Sequence, residues 1–319
     1  MQSKTPFFTI ATITYNSSAW VKCTIESVLA SSFNDFEFII SDDFSQDNTW
    51  EIISTYKDQR IKAWKNEKNI GEYLNRNKIL SDAKGRYIFF IDGDDILYKD
   101  ALLLLNNYLK EFKEVGMIWG VPVREIDFAV LPYEFSPFEV MQFIYFSSLP
   151  FSIMGLAETV FNTKLLQDIG GFSTKYIIGD TYIKRKLALT SNVLLIPEGL
   201  SFWRRSENQA SRRAGKNYLS FIDMHFINKE ILDDPKLPFN TIQRNSAIKN
   251  IKISEIKLLI KNTILKGNFR AFFILYKKLN FQLIDFKYLL KKGTYGYKPI
   301  EDSSHPLMNS YNFLKSKNY

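Results

Sequence analysis

Between residues 7 and 92 the hydrophobic period of the chain switches back and forth between two and about 3.6. FFTIATITYN (7–16), FEFIISDD (36–43), RIKAWKN (60–66) and RYIFFID (86–92) are short, rich in β-branched and aromatic residues, and read as strands. Between them, SAWVKCTIESVLAS (18–31), DNTWEIISTY (47–56) and LNRNKILSDAK (74–84) carry apolar residues at helical spacing. Asp47 and Asn48 suit a helix N-cap, and Gly85 suits the C-cap of the third helix. Strands joined through helices run parallel, and a parallel sheet needs helices on both faces. The expected fold class is α/β, a Rossmann-like, mostly parallel sheet flanked by helices.

Farther on the alternation loosens. A helix is expected over 99–113, a strand at GMIWGVPV (116–123), and a strand turning into a helix that stops at Gly170-Gly171 over 158–172. DTYIKRKLALTS (180–191) reads as helix and NVLLIPEGLSFWRR (192–205) as extended chain, whereas residues 130–152 match neither period. Past about residue 216 helical patterns take over, which suggests one domain over 1–215 and a helical C-terminal region over 216–319.

The 45% hydrophobic and 15% aromatic content of the 319 residues supports a substantial core. A single cysteine, Cys23, excludes an intramolecular disulfide and suits a reducing, cytoplasmic setting. Two histidines, His225 and His305, argue against a histidine metal site or a Ser-His-Asp triad. The N-terminus lacks the regions of a signal peptide, and no apolar run reaches the roughly 18 residues of a membrane helix.

Polar clusters fall where three expected strands end: Tyr15-Asn16, Asp42-Asp43 and Asp92 to Asp95. In doubly wound sheets ligands bind beyond those carboxyl ends. The last cluster is the sharpest, because YIFFIDGDDIL (87–97) runs from apolar residues into three carboxylates that repel one another unless they face water or share a cation. The chain has neither a P-loop nor a dinucleotide fingerprint, and DGDDIL lacks EF-hand spacing. What remains is Mg²⁺ or Mn²⁺, held by one or two carboxylates and shared with substrate phosphates.

TITYN, ESVLASSFNDFEFIISDDFSQDNT, NIGEYLNRNKILSDAKGRYIFFIDGDD, the IGGF and GD of 169–180, and WRRSENQAS (203–211) occur in that order. The set resembles the family 2 glycosyltransferases of the GT-A fold, of the bacterial polysaccharide- and oligosaccharide-assembly type. The resemblance implies a nucleotide-sugar donor, a UDP-sugar, bound by Thr12, Tyr15, Asp43, Arg76, Asp92 and Gly93, with Tyr15 stacking on the base and Asp43 accepting from its edge. It also implies a Mn²⁺ or Mg²⁺ site at Asp92, Asp94 and Asp95, where Asp95 is either a further ligand or the cap of the next element. Arg76 has a plainer alternative as a solvated helix arginine.

The reaction implied is sugar transfer with inversion to a hydroxyl of a glycan or lipid-linked glycan. The family places its general base in a Glu-Asp pair after the GGF turn; here the pair is Gly179-Asp180, so Asp180 is the implied base, with helix capping as its alternative. The histidine expected near Trp203 is missing, and Arg204 and Arg205 are candidates for the diphosphate charge instead. Phe44 stands where a glycine commonly follows the Asp pair, a departure that reads as packing. Gly179 and Ser206 keep open a non-catalytic GT-A-like module that binds a nucleotide or glycan; a nucleotidyltransferase is disfavoured, since ATITYNSSAW holds no glycine-rich loop.

From Arg244 to Lys298 there are 13 Lys/Arg and 2 acidic residues, so the formal charge of +8 belongs to the C-terminal third. Ile253, Ile256, Ile260 and Ile264 form a helical stripe with Lys252, Lys257, Lys261 and Lys266 off it. Two readings stay open: residues 244–298 dock on an anionic membrane surface, at the inner face of the plasma membrane, or the stripe packs on the catalytic domain. No recognition motif accompanies the charge, so nucleic acid is not an expected partner.

Overall fold

A computed structural model describes residues 5–121, 131–146, 155–204 and 218–290. The chain begins β1 (Phe8–Thr14), α1 (Val21–Leu29), β2 (Phe36–Asp42), α2 (Thr49–Thr55), β3 (Ile61–Lys65), α3 (Glu72–Asp82) and β4 (Tyr87–Phe90). It continues with β5 (Ile96–Leu97), α4 (Ala101–Glu111), β6 (Val115–Gly120), β7 (Tyr133–Phe135) and α5 (Pro137–Phe146). After these come β8 (Thr159–Asn162), α6 (Thr163–Asp168), α7 (Gly179–Ala188), β9 (Asn192–Ile196) and β10 (Ser201–Phe202). Three α-helices follow, α8 (Leu219–Leu232), α9 (Thr241–Asn262) and α10 (Phe269–Lys278), with a 3₁₀ turn at Ile264–Lys266, and a 3₁₀ helix (Leu283–Leu290) closes the described chain.

The main sheet has the order β3-β2-β1-β4-β8-β6-β9-β7. Its first four strands are parallel, β8 runs antiparallel between β4 and β6, and β7 closes the edge antiparallel to β9. A small antiparallel pair, β5 with β10, stands apart from it. The period-two pattern sends alternate residues to opposite faces. Phe38, Ile40, Tyr87 and Phe89 meet Val21, Ile25, Leu102 and Leu105 of α1 and α4, whereas Ile39, Ile88 and Phe90 meet Ile79, Leu80, Ile183 and Leu187 of α3 and α7.

The expected strands and helices form with ends shifted by a few residues. Three local readings change. Gly85 is not the C-cap of α3, which ends on Ala83; a β-carbon at Gly85 would stand 2.3 Å from the Thr9 nitrogen, so the glycine lets the chain enter β4 against β1. Asn48 occupies the N-cap of α2 without a side-chain bond, and it is the Asp47 carboxylate that accepts the Thr49 amide at 3.0 Å. The unassigned stretch around 130–152 contains β7 and α5, both resting on the sheet core through Phe135, Val140 and Met141.

Helices α8 and α9 bury Ile227, Ile231, Leu232 and Ala247 in the core of the sheet. The isoleucine stripe of α9 turns inward, with Ile253 and Ile256 buried, so that part of 244–298 packs on protein. Beyond it, Ile256, Leu259, Leu275, Leu279 and Phe281 join Ile222 in a separate small cluster. Among the described residues no helix is long and apolar enough to cross a membrane.

Candidate active site

The carboxyl ends of β1, β2 and β4 lie side by side, since β1 pairs with both neighbours. After β1 the Tyr15 ring is half exposed and open to a flat partner. Thr12 is three residues deeper and wholly buried, its hydroxyl donating to the Ile91 carbonyl at 2.7 Å. It braces β1 against the end of β4 beneath the site, and its side chain does not line the site as expected for a nucleotide ligand.

After β2, Asp42 and Asp43 take different tasks. Asp42 turns inward to the hydroxyls of Thr14 and Ser45. Asp43 accepts the Asn66 amide at 3.0 Å and the Ile70 and Gly71 amides at 2.9 Å each, so it holds the loop that leads into α3. Two bonds fall on Oδ1 and one on Oδ2, and a carboxylate has about four acceptor positions, so capacity for a further donor remains. Phe44 adopts φ 65°, the left-handed region that favours glycine, so the common glycine there answers a backbone need, and the packing reading of this departure is replaced.

After β4 the chain turns at once, the Asp95 amide donating to the Asp92 carbonyl at 2.9 Å. Gly93 fits because a β-carbon would stand 2.7 Å from Thr14 Cγ2, so it too is a close-approach residue. Asp92 faces Arg76, Asp94 is half-buried, and Asp95 is buried with its Oδ1 accepting the Arg204 amide at 2.9 Å. Burial, then the Asp92 charge, pushes the carboxyl of Asp94 up and that of Asp95 up to about 8. The three carboxylates do not converge: among the described residues no three His, Cys, Asp or Glu side chains form one metal-ligand group. Asp92 is held by Arg76, and Asp95 by the Arg204 backbone amide.

Arg204 lies against this loop. Its Nε donates to the Asp94 carbonyl at 2.9 Å, and its guanidinium stacks 4.0 Å from the centre of the Trp20 ring. Arg205, Ser206 and the remainder of WRRSENQAS lie outside the described residues.

Helix α3 joins the parts, and NRN (75–77) does it with three consecutive side chains. Asn75 is buried and bonds the Ser41 carbonyl at 3.0 Å under the end of β2. Arg76, only 1% exposed and so not a solvated helix arginine, pairs through Nη2 with Glu72 at 3.0 Å and with Asp92 at 2.8 Å. Burial opposes its charge, yet Asp92 and Glu72 together hold the guanidinium above its ordinary range. Its Nε and Nη1 are buried without a hydrogen-bond partner. Asn77 accepts the Phe172 amide at 2.7 Å and donates to its carbonyl at 2.8 Å, which fixes the GGF turn.

That turn delivers α7. Ile178 holds the N-cap position, so Asp180 sits within the first turn and does not cap the helix. Its carboxylate lies 3.3 Å from Lys184 Nζ, one helical turn on. Tyr73 braces the approach, donating to the Ile177 carbonyl at 2.8 Å and accepting the Gly179 amide at 2.8 Å. Tyr73, Asn77 and Glu158 were not among the expected site residues. Glu158 accepts the Leu200 amide at 2.6 Å and the Ser201 amide at 3.2 Å, tying β10 and hence Arg204 into place. Burial raises its carboxyl to about 7.

Comparison with known proteins shows what the chain is similar to. Residues 9–161 match Glycosyl transferase family 2. Over 127 residues the chain is 44% identical to the UDP-Glc:alpha-D-GlcNAc-diphosphoundecaprenol beta-1,3-glucosyltransferase WfaP of Escherichia coli, which covers 40% of this chain and 50% of that relative. In fold it is similar to S. aureus TarS 1-349 in complex with UDP-GlcNAc, at TM-score 0.61 and 20% identity over 76% of this chain and 70% of the other. It is also similar to the mannosyltransferase PcManGT of Pyrobaculum calidifontis in complex with GDP-Man and Mn²⁺, at TM-score 0.58 and 17% identity over 99% and 87%. Residues 9–161, just under half of this chain, are a glycosyl transferase family 2 domain, and the mostly parallel sheet flanked by helices has the GT-A fold.

Proposed function

We propose that the chain transfers a sugar from a UDP-sugar to a hydroxyl of a glycan or lipid-linked glycan, with inversion at the anomeric carbon. The donor and acceptor classes are those in the name of the similar E. coli enzyme. The observation that carries the reading is the double tether of α3: Arg76 reaches Asp92 on the acidic loop while Tyr73 fixes the turn that presents Asp180. One rigid helix thus sets the separation between the donor-diphosphate end and the base.

Each side chain has a task in this scheme. Tyr15 offers a ring face to the base, and Asp43 holds the loop beside it with acceptor capacity left. Asp180 removes the proton from the acceptor hydroxyl as that oxygen attacks the anomeric carbon and the bond to the diphosphate breaks. Arg204, and Arg205 beyond it, lie in sequence where they can meet the diphosphate charge. The acidic loop fits a divalent cation, because Asp92, Asp94 and Asp95 share one tight turn and Oδ1 of Asp92 is buried there without a hydrogen-bond partner. With no three-carboxylate cage among the described residues, Asp92 and Asp94 would hold Mn²⁺ or Mg²⁺ in the manner of sites that use one or two carboxylates plus phosphates. Bound there, the ion would supply charge stabilisation for the departing nucleoside diphosphate.

A binding-only module draws its support from Gly179. Tyr73 fills the place a side chain would take there, so packing alone requires the glycine. The test is release of UDP from UDP-glucose and UDP-N-acetylglucosamine in the presence of Mn²⁺. Asp180→Asn should lower turnover by about 10² or more while UDP binding is retained, and Asp94→Ala should remove the Mn²⁺ dependence of UDP binding. Full turnover by Asp180→Asn rejects this base; UDP binding without turnover in the unaltered protein favours the module.

A further inference from the structure

The helical tip of the chain presents an apolar face that no element covers among the described residues. On α10 the inner side, Phe272, Leu275, Tyr276 and then Leu279, packs in the small cluster with Ile256 and Leu259. The outer side carries Phe269, Phe273 and Ile274, exposed by 58%, 67% and 55%. Adjoining turns add Leu265, Leu283 and Ile284 at 75%, 83% and 61%. Single exposed hydrophobics are ordinary, but six this open within the stretch 265–284 form a feature of the surface.

Charge says what such a face suits. Lys266, Arg270, Lys277 and Lys278 are interleaved with the apolar residues, and at 100° per residue Arg270 and Lys277 fall on the same outer side of α10 as Phe273. The acid of this stretch, Asp285, is buried and pairs with Lys252 at 2.9 Å, so it does not offset the outward charge. A second copy of the chain would set this basic rim against itself in a two-fold contact. Residues 291–319 carry 5 lysines against 2 acids and are equally ill-matched to it. We propose that residues 264–287 dock on an anionic lipid surface, with Phe269, Phe273 and Ile274 entering the headgroup boundary and the cations meeting lipid phosphates.

The proposal goes beyond glycosyl transfer and does not depend on it, because vesicle binding requires no turnover. The full chain is sedimented with phosphatidylcholine vesicles and with vesicles that also contain phosphatidylglycerol. Binding to the second alone, released by salt, is expected. The triple variant F269S/F273S/I274S and the charge variant K277E/K278E should each lower the bound fraction about tenfold with an unchanged melting temperature. Failure of the full chain to bind anionic vesicles overturns the proposal, as does binding undiminished in both variants. A dimer seen by light scattering and lost in the triple variant would assign the face to self-association and overturn it equally.

Discussion

The Tyr73 hydroxyl lies 2.8 Å from the Gly179 nitrogen, and a β-carbon at Gly179 would stand 2.8 Å from Cε2 of the same ring. The two residues occupy one space and share one bond. With its second bond to Ile177, Tyr73 grips both sides of the turn that precedes Asp180, and its ring stacks on Phe172 with centroids 5.7 Å apart. Burial, then the charges of Asp180 and Glu72, holds the phenol above its ordinary range, so it remains a protonated donor at any working pH.

Tyr73→Phe keeps the ring and removes both bonds, leaving the Gly179 amide and the Ile177 carbonyl unmatched. A stability loss of about 1–3 kcal/mol is expected. The more telling readout is kinetic: kcat should fall about tenfold or more as Asp180 loses its fixed position, with donor affinity little changed. Gly179→Ala should destabilise by about 1–3 kcal/mol through overpacking against Tyr73 and the Ser173 carbonyl. Equal losses in kcat and donor affinity for Tyr73→Phe would place its role elsewhere.

Arg76 is expected to act through Asp92. Breaking a buried ion pair costs about 3–5 kcal/mol, but Asp92 is partly open to water, and the expected loss for Arg76→Met is nearer to about 2 kcal/mol. Urea unfolding of Arg76→Met, Asp92→Asn and the double variant should give a coupling of about 1–2 kcal/mol. Strict additivity would mean that Arg76 and Asp92 do not hold each other.

Much of this frame is legible in the sequence because it is local. FTIATIT, FEFIISD and YIFF declare buried strands through residue type and period alone, and the acids that come after them mark the sheet edge that carries the candidate site. What a polar side chain does there is set by residues far along the chain. Asp43 is occupied by the 66–71 loop, Thr12 by Ile91, and Asp95 by Arg204, more than a hundred residues away. Glycines are the other blind spot: Gly85, Gly93 and Gly179 are fixed by atoms of Thr9, Thr14 and Tyr73 respectively, and nothing beside them in sequence announces those neighbours. The NRN triplet pointed only to Arg76, through the family resemblance; the partners of Asn75 and Asn77, Ser41 and Phe172, lie far along the chain.

Glu158 supplies a pH test. Burial raises its carboxyl from 4.5 to about 7 in the folded chain, against the three bonds from Leu200 and Ser201 that favour the charged form. Below the unfolded value both states are protonated, and above the folded value both are ionised; in between the folded state binds more protons, so stability falls as pH rises from about 4.5 to about 7. The expected fall is of the order of 2 kcal/mol. Glu158→Gln cannot titrate, so it should reduce this slope to the part that the likewise raised carboxyls of Asp94 and Asp95 contribute, even though its amide mismatches one backbone donor and lowers stability by about 1–3 kcal/mol at every pH. Urea midpoints measured at pH 5 and pH 7.5 check both. A slope left unchanged in Glu158→Gln belongs to Asp94, Asp95 and other groups, whereas a reduced one identifies this carboxylate as a pH-sensitive clamp on β10, the strand that brings Arg204 to the acidic loop.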